Sequence, residues 1–167
     1  MTLWLIGMMG SGKTTAGRLA AETLGIAFFD TDEEVASRLG RPVADIWDEL
    51  GEPSFREMES AAVRRLAGEN AVISTGGGVV LEPGNRDVMK TSGSVVWLSC
   101  PPGVLASRLE GSSGRPLLDD QPDLAAAIGD VLVLRSAAYS EMADYEIDTS
   151  VLSVEEVASR IEGFWPS

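Results

Sequence analysis

The residues best suited to chemistry stand first in the stretch Gly7-Met-Met-Gly-Ser-Gly-Lys13-Thr14. It fits the pattern G-x-x-x-x-G-K-[ST] and sits between an apolar run and a helical one. In that setting successive backbone N–H groups turn inward and cradle phosphate oxygens. The N-terminus of the following helix adds a favourable field for an anion. Gly10, Ser11, Gly12, Lys13, Thr14 and Thr15 are therefore the expected phosphate contacts. Lys13 should reach the β- and γ-phosphates of a nucleotide, and the Thr14 hydroxyl is placed for Mg²⁺. Asp30 and Asp32 follow the apolar IAFF and are expected on one face of a strand end, two residues apart. A simpler alternative is that Asp32 caps the helix that starts there. Arg56, in SFREME, has Glu52 and Glu59 at helical spacing. It is either half of a surface ion pair or a planar anion contact. Gly76, Gly77 and Gly78 follow AVIST. A turn explains one glycine, whereas three imply that something comes close to bare backbone.

The chemistry is narrowed by what the chain lacks. Among 167 residues there is no histidine, so a general base must be a carboxylate or a less usual group. The net charge is −13, from 26 acidic and 13 basic residues, which argues against nucleic-acid binding. Only two of the thirteen cations are lysines, Lys13 and Lys90, so an anion site must concentrate a few arginines. The single Cys100 excludes an internal disulfide and fits a reducing cytosol. No apolar stretch reaches the roughly 18 residues of a membrane span, and the apolar start reads as a first strand and not a signal peptide.

These residues need elements to hold them. Apolar runs at 3–7, 26–30, 71–75 and 94–100 read as strands, and YEID at 145–148 reads as a fifth. Helical spacing covers 12–25, 32–40, 42–51, 52–69, 83–91, 101–111, 124–143 and 153–165, the last opened by a Ser153/Glu156 capping box. Strands alternating with helices predict an α/β fold with a mainly parallel sheet. The segment 112–123, rich in Ser, Gly, Pro and Asp, is expected to be a mobile loop. No N-K-x-D segment is present to read guanine. Neither AVIST nor VVWLSC ends in the magnesium-binding carboxylate usual in mechanical ATPases.

In order and spacing, GMMGSGKTT (7–15), FFDTD (28–32), GRPVADIWDELGEPSFREME (40–59), STGGG (74–78), GRPLL (114–118), Arg135-SAA-Tyr139 and EIDTS (146–150) make the chain resemble the shikimate kinases, and the likeness runs over essentially its whole length. That resemblance implies a phosphate-loop kinase fold of the nucleoside-monophosphate-kinase type, a three-layer sandwich around a five-stranded parallel sheet. It implies one domain over 1–167, with substrate-binding helices at about 32–69 and a mobile lid at about 111–124. The implied reaction moves the ATP γ-phosphate to the 3-hydroxyl of shikimate, with Mg²⁺, in a cytoplasmic monomer. By the same resemblance Asp30 sits near Mg²⁺, and Asp32 accepts hydrogen bonds from the substrate, including the attacking hydroxyl. Arg56, steadied by Glu59, and Arg135 grip the substrate carboxylate. Trp47 and Phe55 wall the ring, and Gly76, Gly77 and Gly78 form the floor, with Gly77 nearest. Arg115 stabilises the transferring group from the lid, and Arg108 faces the nucleotide. No cation follows EIDTS until Arg160, so the adenine contacts are not assigned. The rival expectations are a kinase for another hydroxy acid such as gluconate, and a silent nucleotide-binding homologue.

Overall fold

The computed structural model describes residues 1–110 and 122–165. Five parallel strands, β1 (Thr2–Ile6), β2 (Ala27–Asp30), β3 (Ala71–Ser74), β4 (Gly93–Ser99) and β5 (Tyr145–Asp148), form one sheet in the order β2-β3-β1-β4-β5. The central strand β1 is apolar on both faces, as a doubly covered parallel strand must be. Trp4 and Ile6 point into a core shared with Val63, Ile73, Met89 and Tyr139. Leu3 and Leu5 point the other way, against Ala16, Ala20, Val157 and Ile161. The helices on the first face include α3 (Val43–Leu66), α4 (Pro83–Ser92), α5 (Pro102–Leu109) and α6 (Leu124–Met142). On the second face lie α1 (Lys13–Leu24) and α7 (Val154–Glu162). The result is the expected three-layer α/β arrangement.

The last helix, α2 (Thr31–Leu39), packs on α3 through a smaller cluster of Val35, Ile46, Phe55 and Ala62. Its start differs from expectation. Asp32 is not the cap, because the helix begins one residue earlier. Asp30 caps it instead, its Oδ1 accepting from the N–H groups of Asp32 and Glu33 at 3.0 and 3.4 Å. The two aspartates therefore do not share a strand: one ends β2 and the other sits in the first turn of α2. The helices expected at 42–51 and 52–69 meet end to end as α3, bent at Gly51, whose φ of 76° and ψ of 165° break the helical path. Pro53 falls in the first turn after the bend, where no intrahelical N–H bond is lost. A 3₁₀ turn over Val79–Leu81, which no sequence signal announced, follows the glycine triplet. The Ser153/Glu156 capping box at the start of α7 is present as read.

Candidate active site

All five strands point their C-terminal ends toward one edge, where parallel α/β sheets place their ligands. A cleft of about 710 Å³ opens there. Its walls are Gly10 to Thr15 after β1, Asp30 and Asp32 around the end of β2, and Ser74, Thr75 and Gly77 after β3. Arg108 on α5 and the stretch from Thr149 into α7 complete it. Gly12, at φ 95°, turns the loop into the N-terminus of α1. Lys13 is buried and folds back on the loop, donating from Nζ to the carbonyls of Gly7 (2.8 Å) and Met8 (2.9 Å). Burial lowers its pKa to about 8, against the upward pull of Asp30 and Asp32, with Arg135 adding to the fall. The Thr14 hydroxyl donates to Asp30 Oδ2 at 2.7 Å and lies 3.2 Å from Ser74 Oγ. This small set of hard oxygen donors beside a phosphate loop suits Mg²⁺, which takes few protein ligands and keeps phosphate oxygens and waters for the rest.

The acceptor side is built around Gly76 to Gly78, and here the expectation needs correction. None of the three has positive φ. Only Gly77 lines the cleft. The space a Cβ would take is filled by the protein's own charged groups. At Gly76 these are Glu59 Oε1 and Asp32 Oδ1, at Gly77 Arg135 Nη1 (3.1 Å), and at Gly78 the Arg56 guanidinium. The bare backbone thus first admits the residues expected to hold a substrate. Asp32 Oδ1 and Glu59 Oε1 are both buried and without hydrogen-bond partners among the described residues. Buried acceptors of this kind call for a donor. Burial raises the Asp32 pKa to about 7. Glu59 and Asp30 push the same way, while Lys13 and Arg56 pull back. Glu59 is also raised by burial, with Arg56 and Arg135 opposing.

Arg56 donates to Glu59 Oε2 at 2.9 Å and to the more exposed Glu52 at 3.2–3.3 Å. Trp47 and Phe55, expected as a wall under the substrate ring, lie under this guanidinium, which is 5.2 and 5.7 Å from their ring centres. Arg135 is buried, yet pairs with no carboxylate among the described residues; its Nη1 lies 3.9 Å from Met8 Sδ. A buried guanidinium without a counter-charge is costly, and an incoming anion would relieve that cost. Arg108 donates to Thr149 Oγ1 (3.1 Å), Thr149 O (2.5 Å) and Gly10 O (3.4 Å), tying the phosphate loop to the far end of the cleft. Arg115 and most of the expected lid lie outside the described residues.

Two groups went unassigned in the sequence. Leu109, Thr149, Leu152, Ser153, Val154 and Val157 line the end of the cleft beyond the phosphate loop, a place suited to a nucleotide base. No residue pattern marks them as one group, because they come together from α5, the turn after β5, and α7. Tyr139, one turn after Arg135, donates its hydroxyl to the Gly77 carbonyl. The spacing of four between Arg135 and Tyr139 was a legible signal that both face one way.

The family model described as shikimate kinase matches residues 9–164. A shikimate kinase from Symbiobacterium thermophilum is 42% identical over 164 residues, covering 96% of this chain and 94% of that one. Among solved structures, a shikimate kinase from Acinetobacter baumannii in complex with shikimate superposes with a TM-score of 0.91 at 35% identity, covering 96% of this chain and 89% of that one. A gluconokinase from Sinorhizobium meliloti, at 17% identity and TM-score 0.57 over 97% and 89% of the two chains, shares the fold alone.

Proposed function

Since the chain belongs to the shikimate kinase family, we propose that this cleft carries the transfer of the ATP γ-phosphate to the 3-hydroxyl of shikimate, with the phosphate loop and the glycine ledge holding the two substrates tip to tip. The activity is that of an ATP-dependent kinase acting on shikimate. One observation supports the residue assignment above the rest. Asp32 places an unpartnered carboxylate oxygen between the phosphate loop and a ledge flanked by Arg56 and Arg135.

The phosphate-loop N–H groups and Lys13 take the triphosphate, which draws Lys13 off the Gly7 and Met8 carbonyls. Thr14 and Asp30 would hold Mg²⁺, which when bound withdraws charge from the phosphates. Arg56 and Arg135 receive the shikimate carboxylate, which gives Arg135 the carboxylate partner it does not have among the described residues. Asp32 accepts from the attacking hydroxyl, orients it, and takes its proton late in the transfer. Arg115 stabilises the charge of the transferring group from the segment at about 111–124, which acts as a lid. The helices at about 32–69 serve the acceptor, within one domain. The protein acts as a monomer in this reading. The lone Cys100 suits the cytoplasm. No helix among the described residues is long and apolar enough to cross a membrane.

The test is ADP production with and without shikimate, and with gluconate as a comparison acceptor, in the wild type and in Asp32→Ala. Shikimate-dependent ADP release should appear in the wild type and fall by about 10²–10⁴ in the variant, with ATP binding retained. Release that ignores shikimate, or survives in Asp32→Ala, would refute the reading.

A further inference from the structure

We propose that Tyr139 is a positioning residue for the acceptor, its hydroxyl pinning the Gly77 peptide in register with the Arg135 guanidinium. The inference rests on the reading of the ledge as the shikimate site. Gly77 is the one residue of the triplet that lines the cleft, and it lies directly against Arg135 Nη1. Its carbonyl accepts from the Tyr139 hydroxyl. Because a trans peptide sets its C=O and the next N–H on opposite sides, fixing that carbonyl also aims the Gly78 N–H away from α6. Tyr139 and Arg135 leave the same helix one turn apart, so one rigid element places both the cation and the peptide.

The phenol is well held for this task. Tyr139 is wholly buried, and its ring stacks on Trp97 with centres 5.7 Å apart and planes 25° from parallel. Burial pushes its pKa up to about 12, with Arg135 pulling back, so the hydroxyl keeps its proton and remains a donor. Core packing would be met as well by phenylalanine. The hydroxyl is what reaches the ledge.

Steady-state kinetics and thermal melts on Tyr139→Phe and Trp97→Phe separate positioning from packing. Tyr139→Phe keeps the ring and loses the hydroxyl, with its bond to the Gly77 carbonyl and its contact with Arg135. Its KM for shikimate should rise about tenfold, while its KM for ATP stays within about twofold of wild type. Trp97→Phe disturbs the stack and should lower Tm while leaving both KM values within about twofold. An unchanged shikimate KM in Tyr139→Phe would overturn the proposal. So would a parallel rise in both KM values, an equal shikimate defect in Trp97→Phe, or failure of Tyr139→Phe to fold, since the hydroxyl would then be serving the core. A wild type that ignores shikimate would instead refute the underlying reading.

Discussion

Burial moves Asp32 and Lys13 in opposite directions, to about 7 and about 8. In the proposed reaction the first must be ionised to accept a proton and the second protonated to hold a phosphate. Below about 7, Asp32 takes up a proton, and kcat/KM for shikimate should fall about tenfold per pH unit. Above about 8, Lys13 gives one up, and kcat/KM for ATP should fall. Rate profiles across that range check both limbs, and an acid limb that persists in Asp32→Asn would assign it to another group. Gly78 offers a steric test. A Cβ there meets the mobile end of Arg56 and not backbone, so Gly78→Ala should fold with little change in Tm. Its KM for shikimate should nonetheless rise by about tenfold, with that for ATP unmoved. The triplet shows what the sequence could carry at this scale. Three glycines announced a close approach, yet nothing local distinguished a ligand from Glu59, Arg135 and Arg56 arriving from distant helices.

The bend of α3 at Gly51 decides where its two halves face. Trp47 comes from the first half, and Phe55, Arg56 and Glu59 from the second, and they meet because the axis turns between them. With φ 76° and ψ 165°, Gly51 holds a conformation nearly closed to other residues. Gly51→Ala should lose about 1–3 kcal/mol in a denaturant titration, and should raise the shikimate KM more than the ATP KM. A variant of full stability would show that the bend survives without glycine. At this scale the sequence was most readable. Four of the five strands came from short apolar runs, and helix ends from glycines and capping residues, because such signals are local; β5, with two carboxylates, carries no such run. The identity of the α2 cap was not readable. The α2 cap turns on where a helix begins to within one residue, which the end of β2 settles, whereas the two helices read at 42–51 and 52–69 are the two halves of α3 on either side of Gly51. The base end of the cleft was hidden for a related reason: its lining is shared among the turn after β5, α7 and α5.

Across the whole molecule, a chain of net charge −13 gathers Lys13, Arg56, Arg108 and Arg135 at one edge of its sheet, to meet two anionic substrates. Among the described residues Arg108 bonds to one side of that edge, through Thr149 and Gly10. Arg108→Ala should therefore raise the KM for ATP by about tenfold and leave that for shikimate within about twofold, as measured by varying each substrate in turn. A shikimate defect of equal size would mean that the two sides are not separable. The strand order explains why they should be. With β1 in the middle, β2 and β3 deliver the ledge and its carboxylates, and β4 and β5 lead to the base end. The phosphate loop is the seam between them. One flank can thus be rewritten for a different alcohol while the other goes on recognising the same donor, so a single ancestral architecture can supply many members by editing half of itself.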